Sequence, residues 1–116
     1  MSLFGPVTDS ERRGWQRRDA LALVDLLADA HKADLPPIVW QVGATGGLLG
    51  RCLTADPSAR RAEFEAWAAF LAPVSRWPEH THAGRTHLHA TRERTGAGVE
   101  VVVIADLYDE PTEVDR

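Results

Sequence analysis

Hydrophobic residues recur every three to four positions in two segments of the chain, which predicts two amphipathic helices. The first follows Thr8-Asp9-Ser10-Glu11, whose Thr-x-x-Glu spacing is that of a capping box, and it must end before Pro36-Pro37. Its predicted buried stripe comprises Leu23, Leu27 and Ala30, flanked by Ala20, Val24 and Leu26, while Asp25, Asp29 and Lys32 face water.

The second helix is predicted after Asp56-Pro57, because Asp is a favoured N-cap and Pro is favoured at the first helical position. Within this segment Phe64, Trp67, Ala68 and Leu71 fall at i, i+3, i+4 and i+7, which places them on one face. Pro73 then ends the helix. Since a tryptophan side chain buries a large apolar area, we expect Trp67 to anchor the core.

Short runs of β-branched and aromatic residues predict strands between and after the helices. Residues 38–42 and 48–54 surround the Gly-rich segment 43–47, which is typical of a hairpin. The same pattern recurs where 85–94 and 99–108 surround TGAG at 95–98. The segment 75–84 fits no single element.

The register of the second predicted hairpin follows from its turn. If Arg94 pairs with Val99, Leu88 lies opposite Ala105 and Ala90 lies opposite Val103, on a face that a helix would cover.

The order helix, hairpin, helix, hairpin predicts an α+β fold of two layers, a four-stranded antiparallel sheet with both helices on one face. We expect an irregular lead-in at residues 1–8, a single domain over 9–108 and an acidic tail at 109–116. The length of 116 residues suits one domain with its own core.

Charge and composition exclude some classes of function. The net charge of −4 argues against nucleic-acid binding, which usually needs a basic patch. We interpret the arginines of the first helix as a solvated face, because acidic residues interleave with them (Arg12, Arg13, Arg17 and Arg18, with Asp9, Glu11 and Asp19). No apolar run is long enough for a membrane span, and the lone Cys52 favours a reducing, cytoplasmic location. The heavy use of Ala, Arg and Gly is typical of a bacterial genome rich in GC.

The stretch EHTHAGRTHLH at 79–89 holds four of the five histidines. Alternation puts His87 and His89 on one strand face, with Asp106 opposite His87, which makes these three residues candidate metal ligands. A second arrangement stays open, a tight hairpin in which His82 opposes His87 and His80 opposes His89. We interpret the stretch as sheet surface, and we expect no bound metal and no cofactor.

Other candidate sites have simpler interpretations. GATGG at 43–47 is followed by LLGRCL and not by a helix, so it predicts a turn and not a phosphate loop. We expect Cys52 to act as a small buried hydrophobe and His31 to lie at the negative end of the first helix. Glu63 and Glu65 are two positions apart on a helix and cannot share a face.

The last strand, VEVVVIADLY, is apolar on both faces, although a two-layer domain covers only one. Its uncovered residues, with the two histidines of the neighbouring strand, predict an interaction surface that comprises His87, His89, Val102, Ile104 and Tyr108. The sequence therefore favours a small, intracellular, non-catalytic binding or regulatory module that forms a homodimer or docks a protein partner. The alternative is a small-ligand or metal-dependent enzyme that uses His87, His89 and Asp106. Nucleic-acid binding through the helix-1 arginines is the least favoured function.

Overall fold

The structure is a computed structural model that describes residues 5–96 and 98–108. It is a mixed α+β fold with two helices and one sheet. The elements run in the order α1 (Asp9–Lys32), β1 (Val39–Val42), β2 (Leu48–Arg51), α2 (Pro57–Leu71), β3 (Ser75–Arg76), β4 (His80–His82), β5 (Arg85–Arg92) and β6 (Val101–Tyr108). Residues 1–4 of the predicted lead-in and the whole predicted tail lie outside the described residues.

Helix α1 begins as predicted, but the residues that it buries differ from the predicted stripe. Thr8 and Glu11 form the capping box in both directions. Leu26 and Ala30 are buried, but Val24 and Leu27, both assigned to the stripe, are 63% and 42% exposed. The helix is rotated because a charged residue, Asp19, occupies the inward position seven residues before Leu26. A polarity pattern cannot assign an aspartate to the buried side.

Helix α2 matches its prediction. The Asp56 side chain accepts from the backbone N–H of Ala59, and Pro57 opens the helix. The four residues of the predicted stripe, Phe64, Trp67, Ala68 and Leu71, are each at most 1% exposed.

The prediction of a four-stranded antiparallel sheet was wrong. The sheet has six strands in the order β1-β2-β6-β5-β3, with β4 also paired to β5. It is mixed, because β2 runs parallel to β6 while the other pairs are antiparallel. The element order also differs, since four strands follow α2 in place of one hairpin. The strands β3 and β4 are two and three residues long and mostly polar, so they carry little hydrophobic pattern.

The register of β5 against β6 was predicted correctly. Leu88 pairs with Ala105, and Ala90 pairs with Val103. Together with Val101 these side chains are at most 2% exposed and belong to one core cluster with buried residues of α1 and α2. We call this side of the sheet the inner face, and the opposite side the outer face.

Candidate functional site

The outer face carries the residues that the sequence placed on an interaction surface. Strand pairing brings together His87 with Asp106 and His89 with Ile104, and it sets Val102 beside Thr91. Val102 and Ile104 are half-buried, as are both histidines, and Tyr108 is 58% exposed. Parallel pairing adds Leu49 and Arg51 of β2, and the edge strand β1 adds Val39 and Gln41.

All four histidines of the stretch 79–89 lie on this face, because β4 and β5 form a hairpin. Its register differs from that of the hairpin that the sequence left open, in which His82 opposes His87. His80 pairs with His87, and His82 pairs with Arg85. The connection is a two-residue turn in which Ala83 and Gly84 both have positive φ, at 53° and 75°. A four-residue loop over 83–86 would instead have placed His82 opposite His87. The tight turn therefore moves each histidine of β4 by two positions relative to β5.

A chain of hydrogen bonds links Asp106 to both histidines of β5. The Nδ1 atom of His87 lies 2.7 Å from Oδ1 of Asp106, and its Nε2 atom lies 3.2 Å from Nδ1 of His89. Since an ionised carboxylate only accepts, Nδ1 of His87 is the donor, and Nε2 of a neutral His87 accepts from His89. Arg85 donates from Nε to the same carboxylate oxygen at 3.0 Å.

The charges of this chain are set by partial burial and by these contacts. Burial opposes ionisation of Asp106, but the hydrogen bonds from His87 and Arg85 outweigh it and lower the pKa of the carboxyl. Burial lowers the pKa of His89, and the neighbouring charge of His87 adds to the effect. His89 is therefore held toward its neutral form, in which Nδ1 donates to His87 and Nε2 can accept a hydrogen bond.

Trp77 joins the site, and the sequence analysis missed it. Its ring stacks on His89 at 3.8 Å with the planes 1° apart, and its backbone N–H donates to the carbonyl of His89. The ring is 58% exposed and forms one wall of a shallow 470 Å³ cavity, lined by Trp77, Pro78, His80, His82, Arg85 and His87. Its position in the unassigned segment 75–84 gave no register from which to place it.

Within residues 5–96 and 98–108, no group of three or more His, Cys, Asp or Glu side chains is arranged to hold a metal ion. The two closest candidates are the ring nitrogens of His87 and His89. Asp106 contacts Nδ1 of His87, the ring nitrogen that does not contact His89.

A second cavity of 430 Å³ lies where β2 and β6 end, between Arg51, Leu53, Ile104 and Tyr108. Arg60 lines this cavity, and its guanidinium donates hydrogen bonds to the backbone carbonyls of Thr54, Ala55 and Asp106. Cys52 below is 1% exposed, and burial raises the pKa of its thiol to about 12. A thiol in that state is a poor nucleophile, so this cavity lacks an activated group.

The remaining candidates occupy structural positions. The GATGG segment forms a turn in which the Gly43 N–H donates to the carbonyl of Gly47. His31 lies exposed in the last turn of α1. Glu63 accepts from the Thr54 hydroxyl, whereas Glu65 pairs with Arg76.

Asp19 was predicted to lie on a solvated face of α1, and this prediction was wrong. It is 1% exposed and not part of a solvated face. Its carboxylate pairs with Arg18 and Arg94 and accepts from the backbone N–H of Gly47 at 2.7 Å. The hydrogen bond from Arg18 outweighs the effect of burial and, with that from Gly47, lowers the pKa of Asp19 to about 2. The residue thus ties α1 to the β1–β2 turn and to the segment after β5.

Comparison with known protein families, with curated proteins and with solved structures finds no match to this chain. In the part of the chain that the structure describes, no helix is both long and apolar enough to cross a membrane.

Proposed function

We propose that this chain is a small non-catalytic binding module that self-associates through the outer face of its sheet. The observation that carries the proposal is the apolar band at the centre of that face. Val102 pairs with Leu49 of β2, Ile104 follows two positions along β6 beside Arg51, and the three apolar residues are only half-buried. The helices pack on the inner face, so the band has no cover from the described residues.

The size of the face suits a second copy of the chain. Strands about 4.8 Å apart span roughly 19 Å across the five-strand path, and about 3.4 Å per residue gives roughly 27 Å along the two eight-residue strands. The projected area is about 500 Å², so relief of the side chains and polar residues at the edge must supply the rest of the ~800 Å² per partner that a stable protein interface buries. Two copies would meet in an isologous contact, with each band packed on its own symmetry mate.

The charges of the face permit this packing. Arg85 and Asp106 neutralise each other through an ion pair at 3.0 Å, outside the apolar band. Polar residues around an apolar centre are the usual anatomy of a protein interface. A cytoplasmic location accords with the single, buried and free Cys52.

Sedimentation equilibrium at micromolar concentrations tests the proposal. We expect the wild-type chain to be a dimer. Ile104→Glu should dissociate it and Ile104→Thr should weaken it, because burying a charge or a hydroxyl in an apolar contact is unfavourable. Val24→Glu is the matched control, since Val24 is an apolar residue of α1 that is 63% exposed and lies away from the sheet.

A monomer at all concentrations would refute self-association. A dimer that Val24→Glu dissociates while both Ile104 variants leave it intact would move the interface to α1 and refute the sheet-face contact.

A further inference from the structure

We propose that the β4–β5 hairpin binds one divalent transition-metal ion of the zinc, nickel and copper class, through Nε2 of His87, Nδ1 of His89 and the imidazole of His80. The inference does not require self-association, because all three ligands belong to β4 and β5 of one chain, with His89 paired to Ile104 at the border of the apolar band. It rests on the separation of two nitrogens, on the partner that orients one ring, and on the position of a third ring.

The two histidines of β5 already have the spacing of ligands on one ion. Two nitrogens bound tetrahedrally at the usual zinc–nitrogen length are about 3.3 Å apart. The Nε2 atom of His87 and the Nδ1 atom of His89 are 3.2 Å apart. In the metal-free protein the two atoms share one proton. An ion takes the place of that proton, which moves to Nε2 of His89, once both rings turn so that their lone pairs point to a common position.

The surroundings of His87 are those of a metal-bound histidine. A ligating imidazole usually donates its other ring N–H to a carboxylate, which fixes its tautomer and orientation. Asp106 accepts that bond from Nδ1 of His87 at 2.7 Å, and Arg85 donates to the same carboxylate oxygen. Nε2 is therefore the nitrogen of His87 that is available to an ion.

His80 is the third ligand. It pairs directly with His87 across the hairpin, on the same face, and lines the same cavity. Directly opposed residues on neighbouring strands have Cβ atoms about 4.5–5.5 Å apart, so an imidazole at one reaches an ion held at the other. His80 is exposed and must turn inward, since no three ligands are preset in the described residues.

This requirement sets the expected strength. Two rings that must turn and a third that must be ordered give micromolar binding and not a structural site, because ordering side chains opposes the gain from their bonds. A site of that strength is consistent with the expectation that protein purified without added metal carries no stoichiometric zinc. Water would occupy the fourth position of a tetrahedral ion.

Calorimetric titration of the untagged, EDTA-treated full chain with Zn²⁺ and with Ni²⁺ tests the site. We expect one ion per chain, and loss of that binding in His87→Gln and in His89→Gln. We expect weaker binding in His80→Gln. His82→Gln is the matched control, because His82 is also exposed on β4 but pairs with Arg85, and we expect its affinity to stay unchanged.

Asp106→Asn separates a built site from a pair of surface histidines. Asp106 is a positioning residue, so its loss should weaken binding about 10–100-fold although every proposed ligand remains. Far-UV circular dichroism of each variant verifies the fold.

Three results would overturn the proposal. The first is unchanged binding in His87→Gln. The second is an equal loss in His82→Gln and His80→Gln, which would show that His80 is no more a ligand than His82. The third is no effect of Asp106→Asn.

Discussion

On β6 the inward residues Val101, Val103 and Ala105 are at most 2% exposed, whereas Val102 and Ile104 between them remain half-buried. The five residues are nearly equivalent in polarity, so the strand itself does not decide which face is covered. The neighbouring elements decide it. Trp67 and Phe64 of α2 belong to the same core cluster as the inner residues, while the outer residues have histidines and polar side chains beside them. The core therefore lies on the inner face, and the described residues leave the outer face partly uncovered.

The largest effect should come from the centre of the inner face. Trp67→Ala should lower the free energy of unfolding by about 3–5 kcal/mol, because it opens a cavity in the core. The ring is 1% exposed, packs edge-on against Trp40 and Phe70, and donates from Nε1 to the carbonyl of Pro36 at 2.8 Å. Urea denaturation measures the change. A midpoint equal to that of the wild type would show that α2 does not supply the core.

The next effect should come from the buried charge of α1. Asp19→Ala removes the acceptor of the Gly47 N–H and the partner of Arg18 and Arg94. We expect a loss of about 1–3 kcal/mol, the cost of leaving buried polar groups without partners. Asp29→Ala, on the exposed side of the same helix, is the control and should stay within about 0.5 kcal/mol. Equal losses of stability at the two positions would contradict the role of Asp19 in linking α1 to the β1–β2 turn and to Arg94.

The same carboxylate predicts how stability responds to acid. The pKa of Asp19 is about 2 in the folded chain and has an ordinary value of 3.8. Its contribution is therefore complete above pH 3.8 and is lost as the pH falls toward 2. The loss should be about 2 kcal/mol, since one pKa unit corresponds to 1.36 kcal/mol. Urea midpoints measured from pH 6 to pH 2 should fall less steeply in Asp19→Asn than in the wild type. Parallel curves would contradict the low pKa.

The sequence predicted those parts of the fold that local pattern and turn chemistry determine. The capping box at Thr8, the start of α2 at Asp56 and the pairing of Leu88 with Ala105 are such features. The parallel pairing of β2 with β6 could not be predicted in this way, because it joins segments about fifty residues apart and leaves no local signal in the sequence. The burial of Asp19 depends equally on a distant partner, Arg94.

The candidate site was predicted in its central pair and not in its surroundings. Alternation along β5 and the turn after it placed His87 opposite Asp106. The position of His80 depended on whether the β4–β5 turn holds two residues or four, and the stacking of Trp77 on His89 depended on β3, which has only two residues. Short polar strands pair through backbone groups that every residue carries, so the sequence does not specify them.

The smallest effect should come from the tryptophan of the outer face. Trp77→Ala removes a stacking partner of His89, yet the ring is 58% exposed and leaves little cavity behind. We expect a loss below about 1 kcal/mol, within the range of one exposed aromatic contact. The measurement should use dilute, monomeric protein, so that any contact between chains does not enter the unfolding free energy. The difference between the losses in Trp67→Ala and Trp77→Ala then measures how much more the inner face contributes to the free energy of unfolding than the outer face. Equal losses would mean that Trp77 supports the fold and that the outer face is not free for a partner.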